Sequence, residues 1–174
     1  EIPKRDWSSD VCSSDLAARA RYDGNYGMFI HRDAHLLGTI FPGFPPAFEA
    51  ELLRVLSNGA VADVEFVLAV LRNYEGQPFI HSVCQKIIEL LPEDDPLRKE
   101  VAIALDSTGV VTGEFGFAEA YERKIIEVKD WANHPSEKVR VFAQWYVGTL
   151  EKMIATERKR AEEEIELRKL RYGE

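Results

Sequence analysis

Two histidines one helical turn apart are the residues of this chain that come nearest to a metal site. His31 and His35 could present two imidazole nitrogens to one zinc ion if the segment is helical. Arg32 stands where a metalloprotease would carry its glutamate, and the neighbouring sequence offers no convincing third ligand. An exposed amphipathic helix face explains the pair with fewer assumptions, so we expect no bound metal.

Cys84 and the segment 109–116 are two further candidates for chemistry. His81 lies one helical turn before Cys84, but the isoleucines and valine around the cysteine favour a buried, inert thiol over a nucleophile. Segment 109–116 is rich in glycine, yet it lacks the Gly-Lys-Ser/Thr ending of a phosphate-binding loop, and no strand precedes it. We therefore expect no catalytic residue and no cofactor.

Prolines and glycines divide the chain into segments with helical spacing of apolar residues. The breaks delimit three helix pairs, at about residues 45–74, 79–107 and 117–150. Their starts are ~34 to 38 residues apart, as in stacked helical hairpins. No segment of useful length has the alternation of a strand. The expected fold is all-α, with stacked antiparallel helical hairpins; a plain helical bundle is the alternative.

The last helix is expected to be unusually long. Residues 136–172 contain no proline and one glycine, so a single helix of ~37 residues and ~55 Å is possible. Apolar residues form a stripe along its first half, whereas residues 157–171 carry five acids and six bases. We expect this charged half to project, supported by four ion pairs between residues four apart. These pairs are Arg158–Glu162, Lys159–Glu163, Arg160–Glu164 and Glu164–Arg168. A short heptad-like seam leaves packing against a partner helix as an alternative.

The segment 134–150 resembles the second-helix signature of HEAT-like helical repeats. A polar turn containing proline is followed by Val139-Arg140, Ala143 and Leu150 at helical intervals. Residues 94–105 are similar to it in a looser way, while the first hairpin lacks the arginine. The resemblance implies an α-solenoid that acts as an interaction scaffold, without chemistry of its own.

A non-catalytic protein-interaction or scaffolding module is therefore the expected function, with a protein as partner. The alternative is an accessory or sensor tail of a multidomain enzyme, such as a nucleotide-driven ATPase. The candidate binding residues are Arg140 and Trp145 near the HEAT-like helix, and Arg158, Arg160 and Glu164 farther along the chain. Four aromatic residues, Trp131, Trp145, Tyr121 and Tyr146, could instead form a patch for a partner, although core packing is favoured.

Net charge and cysteine content indicate which partners and which cellular compartment to expect. The net charge of −8 disfavours phosphate backbones and anionic lipid, so neither nucleic acid nor membrane is an expected partner. No apolar run approaches the ~18 residues of a membrane-spanning helix. Only Cys12 and Cys84 are present, and with no signal peptide we expect a cytoplasmic protein without disulfides.

Residues 1–16 resemble a translated sequencing-library adapter rather than a protein segment. The residues that carry this resemblance are Asp-Trp-Ser-Ser-Asp-Val-Cys-Ser-Ser-Asp-Leu, at positions 6–16. We therefore expect residues 1–16 to be a disordered artefact and the remainder to be the C-terminal fragment of a larger protein from an environmental sample. The expected organisation continues with a lead-in at 17–27, a helical-repeat domain at 28–155 and a charged helical extension at 156–174.

Overall fold

Helices make up all the regular secondary structure in residues 35–173, the part of the chain that the computed structural model describes. Residues 35–40 are helical, and six longer helices follow. These are α1 (Pro46–Leu56), α2 (Val61–Leu71), α3 (His81–Leu90), α4 (Leu97–Asp106), α5 (Gly116–Glu127) and α6 (Glu137–Tyr172). Short 3-10 turns cover Arg72–Tyr74, Pro78–Ile80 and Lys129–Asn133. The all-α prediction is confirmed, whereas those for residues 1–16 and 17–27 lie outside the described residues.

Two compact units divide this part of the chain. The first contains the described residues up to Tyr74 together with Phe79–Ile87, and the second contains Glu75–Pro78 and the residues from Ile88 onward. The boundary falls within α3. Among the described residues, no helix is both long enough and apolar enough to cross a bilayer.

Aromatic side chains form the core of the first unit. Phe44, which precedes the two prolines that start α1, packs its ring 5.0 Å from that of Tyr74 and 5.2 Å from that of Phe79. Phe48 of α1 joins them, with its ring centre 5.5 Å from that of Phe44. The Tyr74 hydroxyl donates a hydrogen bond of 2.7 Å to the carbonyl oxygen of Phe41. Phe44, Phe48 and Tyr74 are buried, and burial of each ring contributes about 1.5 to 3 kcal/mol to this core.

Leu37 belongs to the buried core of the first unit, while Leu36 and Ile40 on the same helical segment are exposed. The carbonyl oxygen of Leu37 also accepts a hydrogen bond of 3.4 Å from the Tyr74 hydroxyl.

Helices α5 and α6 lie antiparallel in the second unit. The direction follows from two ion pairs, Arg158–Glu122 and Arg168–Glu114. The residue with the higher number on α6 pairs with the residue of lower number near α5, so the two helices run in opposite directions. Helix α6 is a single element, as predicted. Its buried face consists of Val139, Phe142, Ala143, Tyr146, Leu150 and Ala161.

The charged half of α6 does not project over most of its length, contrary to expectation. Arg158 pairs with Glu122 rather than with a residue four positions along, and Arg168 pairs with Glu114 at 2.7 Å. Ala161 is buried between these two contacts. The pairs Lys159–Glu163 and Arg160–Glu164 form as predicted, at 3.8 and 3.2 Å.

His134 and Ser136 form the turn at the start of α6. Ser136 occupies the N-cap position, but its hydroxyl makes no capping hydrogen bond. Its backbone amide donates to Nδ1 of His134 at 3.1 Å. The side chain of the residue two positions earlier therefore takes part in ordering this turn.

A backbone turn at Gly76 connects α4 and α5 through polar contacts within the second unit. The Gly76 amide donates to the carbonyl oxygen of Ala104 at 2.7 Å, and the Gly76 carbonyl oxygen accepts from Nζ of Lys124 at 2.5 Å. Lys124 is buried, and its ammonium group also lies 3.0 Å from the carboxylate of Glu127. Because an unpaired buried ammonium would be costly, these contacts fix Lys124 and the turn together.

Asp106, at the end of α4, accepts a hydrogen bond of 2.7 Å from the hydroxyl of Tyr146 in α6. Burial raises the pKa of the Asp106 carboxyl above its ordinary value of 3.8, although the Tyr146 bond and the charge of Lys124 oppose the change. The folded protein therefore binds this proton more readily than the unfolded chain. The associated stabilisation is present at low pH and is lost as pH rises through the folded pKa.

We expect Asp106→Asn to remove this pH dependence, because asparagine keeps an oxygen for Tyr146 but does not titrate. The free energy of unfolding of the wild type, minus that of the variant, should fall as pH rises above about 4 and then level off. Urea unfolding of both proteins from roughly pH 4 to 7 measures this difference. A difference that stays constant, or grows with pH, contradicts the prediction.

Candidate functional site

An open groove of about 860 Å³ lies along α5, the turn after it and the first half of α6. We call it the main groove. Its lining includes Ile126, Lys129, Arg140, Val141, Gln144 and Gly148. Ile126 and Val141 are exposed, although both are aliphatic. Two cations, Lys129 and Arg140, and two anions, Glu137 and Glu151, line the groove, so its charges balance.

Three residues of α6 each border two of three concavities on the surface of the second unit. We call Val141, Trp145 and Gly148 the α6 stripe, since their spacing of four and three places them on one helix face. Val141 borders the main groove and a pocket of about 410 Å³, and Trp145 borders this pocket and a depression of about 520 Å³. Gly148 borders the main groove and the depression. The stripe is therefore the centre of one continuous, uneven surface.

Trp145 is the largest side chain of the stripe, and 46% of its surface is exposed. One edge is held by Phe142, whose ring centre lies 5.5 Å away. Phe142 is itself buried and stacks on Tyr146 with a centroid distance of 6.0 Å. The indole is thus supported from below by the core while a large part of its surface faces solvent.

Arg140 lies beside the stripe, where its guanidinium is tied to the preceding turn. Its Nη1 atom donates to the carbonyl oxygens of His134 and Pro135, at 2.7 and 2.9 Å. These bonds fix the wall of the main groove. Arg140 therefore shapes the groove in addition to placing a positive charge there.

The pocket of about 410 Å³ on the other side of the stripe has acidic residues on its rim. We call it the acidic pocket; it is lined by Glu93, Asp94, Asp95, Pro96, Arg98, Lys99, Val141, Phe142 and Trp145. Oδ1 of Asp95 accepts the backbone amide of Leu97 at 2.9 Å, as its position before Pro96 predicted. This bond orders the turn that carries the acidic rim.

Arg98 is the one residue of the acidic pocket whose environment the sequence did not suggest. Only 7% of its surface is exposed, and its Nη2 donates to the carbonyl oxygen of Ile88 at 3.2 Å. Its Nε has no hydrogen-bond partner within the described part of the chain. Burial lowers the pKa of the Arg98 guanidinium, while the charges of Glu93 and Asp95 act in the opposite direction.

The other three predicted binding residues lie elsewhere on α6. Arg160 and Glu164 border a groove of about 360 Å³ that Phe117 and Arg168 also line. Arg158 is engaged with Glu122 of α5. The structure therefore brings Arg140 and Trp145 to one surface, and places Arg158, Arg160 and Glu164 at the contact between α5 and the charged half of α6.

The residues considered for chemistry do not assemble into a site in the described part of the chain. His31 lies outside it, and His35 is exposed with Nδ1 3.4 Å from Oδ1 of Asn73. No group of three or more potential metal ligands occurs in residues 35–173. Cys84 is fully buried, as predicted, and burial raises the pKa of its thiol far above the ordinary value. Segment 109–116 is a loop ending in α5, with positive φ angles at Gly109 and Gly113.

The four aromatic residues proposed as a patch divide between the core and the surface. Trp131 and Tyr146 are buried, as core packing predicted, and Tyr121 is half-buried. Trp145 alone among the four is exposed. The sequence did contain a signal that Trp145 is exposed. Val141 and Trp145 lie four residues apart and fall outside the apolar stripe of Val139, Phe142 and Tyr146. On α5, the exposed Ile126 likewise falls outside the apolar stripe of its helix.

Comparisons of the chain with family models, with curated proteins and with solved structures found no match.

Proposed function

We propose that this chain is a non-catalytic protein-interaction module of HEAT-like helical hairpins, and that the main groove and the α6 stripe bind a segment of a partner protein. The observation that carries the proposal is the position of the stripe. Val141 and Trp145 are both exposed apolar residues, and each borders two adjoining concavities. Apolar side chains grouped in this way favour a protein interface.

Trp145 has the properties of an anchor for a partner. A large aromatic side chain at the centre of an interface commonly contributes ~2 kcal/mol or more to binding, provided the surrounding contacts exclude water. Trp145 has an immobile neighbour in the buried ring of Phe142, so little freedom is lost when a partner covers it. The concavities on either side supply space for the side chains that would exclude water.

The geometry of α6 is consistent with the HEAT-like assignment. Val139 and Ala143 of the motif-like segment are buried, while Arg140 is exposed. The antiparallel pairing of α5 and α6 is compatible with one helical hairpin. Stacked hairpins expose a continuous side surface that suits partner binding, and we propose that the α6 stripe belongs to such a surface.

Peptide display tests the proposed function. Random peptides displayed on phage are selected on the wild-type protein after depletion on the Trp145→Ala variant, and the enriched peptides are synthesised. We expect peptides whose affinity, measured by fluorescence anisotropy, falls about 30-fold or more in Trp145→Ala and less in Val141→Ser.

Leu167→Ala is the matched control, because Leu167 is another exposed apolar residue of α6 and lies about six helical turns from Trp145. Peptide affinity should not change in this variant. Circular dichroism establishes that all three variants are folded. Failure to enrich any peptide, or enriched peptides that bind Trp145→Ala as tightly as wild type, overturns the proposal.

A further inference from the structure

The acidic pocket combines three features that together specify the chemistry of a ligand: a rim of carboxylates, an apolar wall and a buried donor without an acceptor. Glu93 and Asp94 are exposed on the rim, with Asp95 half-buried beside them. Val141 and Trp145 of the α6 stripe form the wall. Arg98 supplies the donor, through its Nε atom.

Arg98 lines the acidic pocket, and its buried Nε atom would be stabilised by an acceptor oxygen that reached it. A buried N–H group without a partner is destabilising, and this cost is recovered when an acceptor reaches it. The carboxylates of Glu93 and Asp95 act on the Arg98 charge over a distance, but neither accepts a hydrogen bond from Nε. A ligand that brings an oxygen to this atom therefore gains more than it would at an exposed arginine.

The rim decides which kind of oxygen is suitable. Three carboxylates and two cations line the pocket, so the lining has a net charge of −1. Arg98 is already balanced by the acids around it, and a further carboxylate would be repelled by the rim. A neutral main-chain carbonyl oxygen satisfies the donor without adding negative charge. A basic side chain on the same segment would meet Glu93 and Asp94, both of which are exposed.

We infer that the partner segment is a basic peptide, which places an apolar side chain on Trp145 and Val141, a main-chain carbonyl oxygen on Nε of Arg98, and a lysine or arginine against Glu93 and Asp94. The inference rests on the proposed function and adds the chemical class of the partner. A basic partner distinguishes the acidic pocket from a groove that would accept any apolar helix, because Glu93 and Asp94 select for positive charge.

Peptides of defined charge test the rim. The probes are three eight-residue versions of one peptide selected as above, each of which contains one leucine. They differ only at the position next to this leucine, which is lysine, glutamine or glutamate. We expect the lysine peptide to bind wild type about fivefold more tightly than the glutamine peptide, and the glutamate peptide to bind most weakly. In the double variant Glu93→Gln/Asp94→Asn the three affinities should converge.

A second double variant controls for overall charge. Glu162→Gln/Glu166→Gln removes two negative charges from exposed positions of α6 outside the acidic pocket, and the lysine preference should survive in it. If this variant loses the preference to the same extent, the effect comes from the net charge of the protein and the inference is overturned. Equal binding of the three peptides to wild type also overturns it.

The resonance of the Arg98 Nε–H group tests the buried donor without any substitution at that site. In ¹⁵N-labelled protein, addition of the lysine peptide should move this signal downfield and slow its exchange with water, because the hydrogen gains an acceptor. A peptide that binds through Trp145 but leaves the signal unchanged overturns the inference while the proposed function stands. Absence of any binding that depends on Trp145 overturns the proposed function itself.

Discussion

Gly76→Ala is expected to lower the free energy of unfolding by about 3 kcal/mol or more, since two destabilising effects act at this position. Gly76 has a φ angle of +75°, which costs an alanine about 1 to 2 kcal/mol relative to ordinary backbone. A Cβ atom at Gly76 would also lie 2.0 Å from the carbonyl oxygen of Ser107 and 2.8 Å from its carbonyl carbon. Both atoms are backbone and cannot rotate away.

Relief of that clash requires Gly76 and Ser107 to separate. Such a movement weakens the bond from the Gly76 amide to Ala104 and the bond from Lys124 to the Gly76 carbonyl oxygen. Lys124 would then be a buried cation with one fewer acceptor. The loss therefore extends from the turn to the contact between α4 and α5.

Gly109→Ala is the control for Gly76→Ala, and urea unfolding followed by far-UV circular dichroism measures both. Gly109 has a similar φ angle of +64°, but nothing lies within 4 Å of the position of its Cβ. This variant should lose only the backbone term of about 1 to 2 kcal/mol. Equal losses in the two variants would show that the approach of Ser107 to Gly76 does not constrain the fold.

Leu150→Ala is expected to destabilise the protein by about 2 to 5 kcal/mol, because the removed atoms leave a cavity in the core of the second unit. Leu150 is 0% exposed and belongs to the buried face of α6 that also holds Phe142 and Tyr146. Alanine is at least as good a helix former, so the loss reports packing alone. Because this face supports Trp145, binding of the selected peptides should weaken as well.

Leu167→Ala makes the same chemical change farther along the same helix, where the leucine is 65% exposed. Its effect on unfolding should stay within about 0.5 kcal/mol. The fluorescence of Trp131 and Trp145 reports unfolding of the second unit, to which both leucines belong. A loss at position 167 as large as that at position 150 would contradict the division of α6 into a buried and an exposed part.

Much of the secondary structure could be predicted from the sequence, because local signals determine where helices begin and end. Pro45 and Pro46 mark the start of α1, and Asp95 before Pro96 accepts the amide of Leu97 at the start of α4. Helix α6 continues to Tyr172 because no proline interrupts it and its helix-forming residues tolerate solvent. At the start of α6 the Ser136 hydroxyl makes no capping hydrogen bond, and Nδ1 of His134 accepts the Ser136 amide.

The candidate site was only partly predictable. Arg140 and Trp145 were identified from the HEAT-like resemblance, and both lie at the surface that we propose for binding. Arg98 was missed, because nothing in its local sequence shows that its side chain is buried or that Nε lacks an acceptor. Arg158, Arg160 and Glu164 lie on another part of α6.

The sequence by itself determined the helical class of the described chain, the length of α6 and the burial of Cys84. These properties depend on apolar periodicity and on the absence of breakers, which are local. Only the tertiary structure decided which charges pair: Arg158 and Arg168 bind acids of the 114–122 segment, whereas Arg160 pairs with Glu164 on its own helix. Each of these arginines has an acid four residues away on α6. Arg158 and Arg168 also lie close to carboxylates outside α6, at Glu122 and Glu114. That closeness depends on how α6 packs and not on spacing along the sequence.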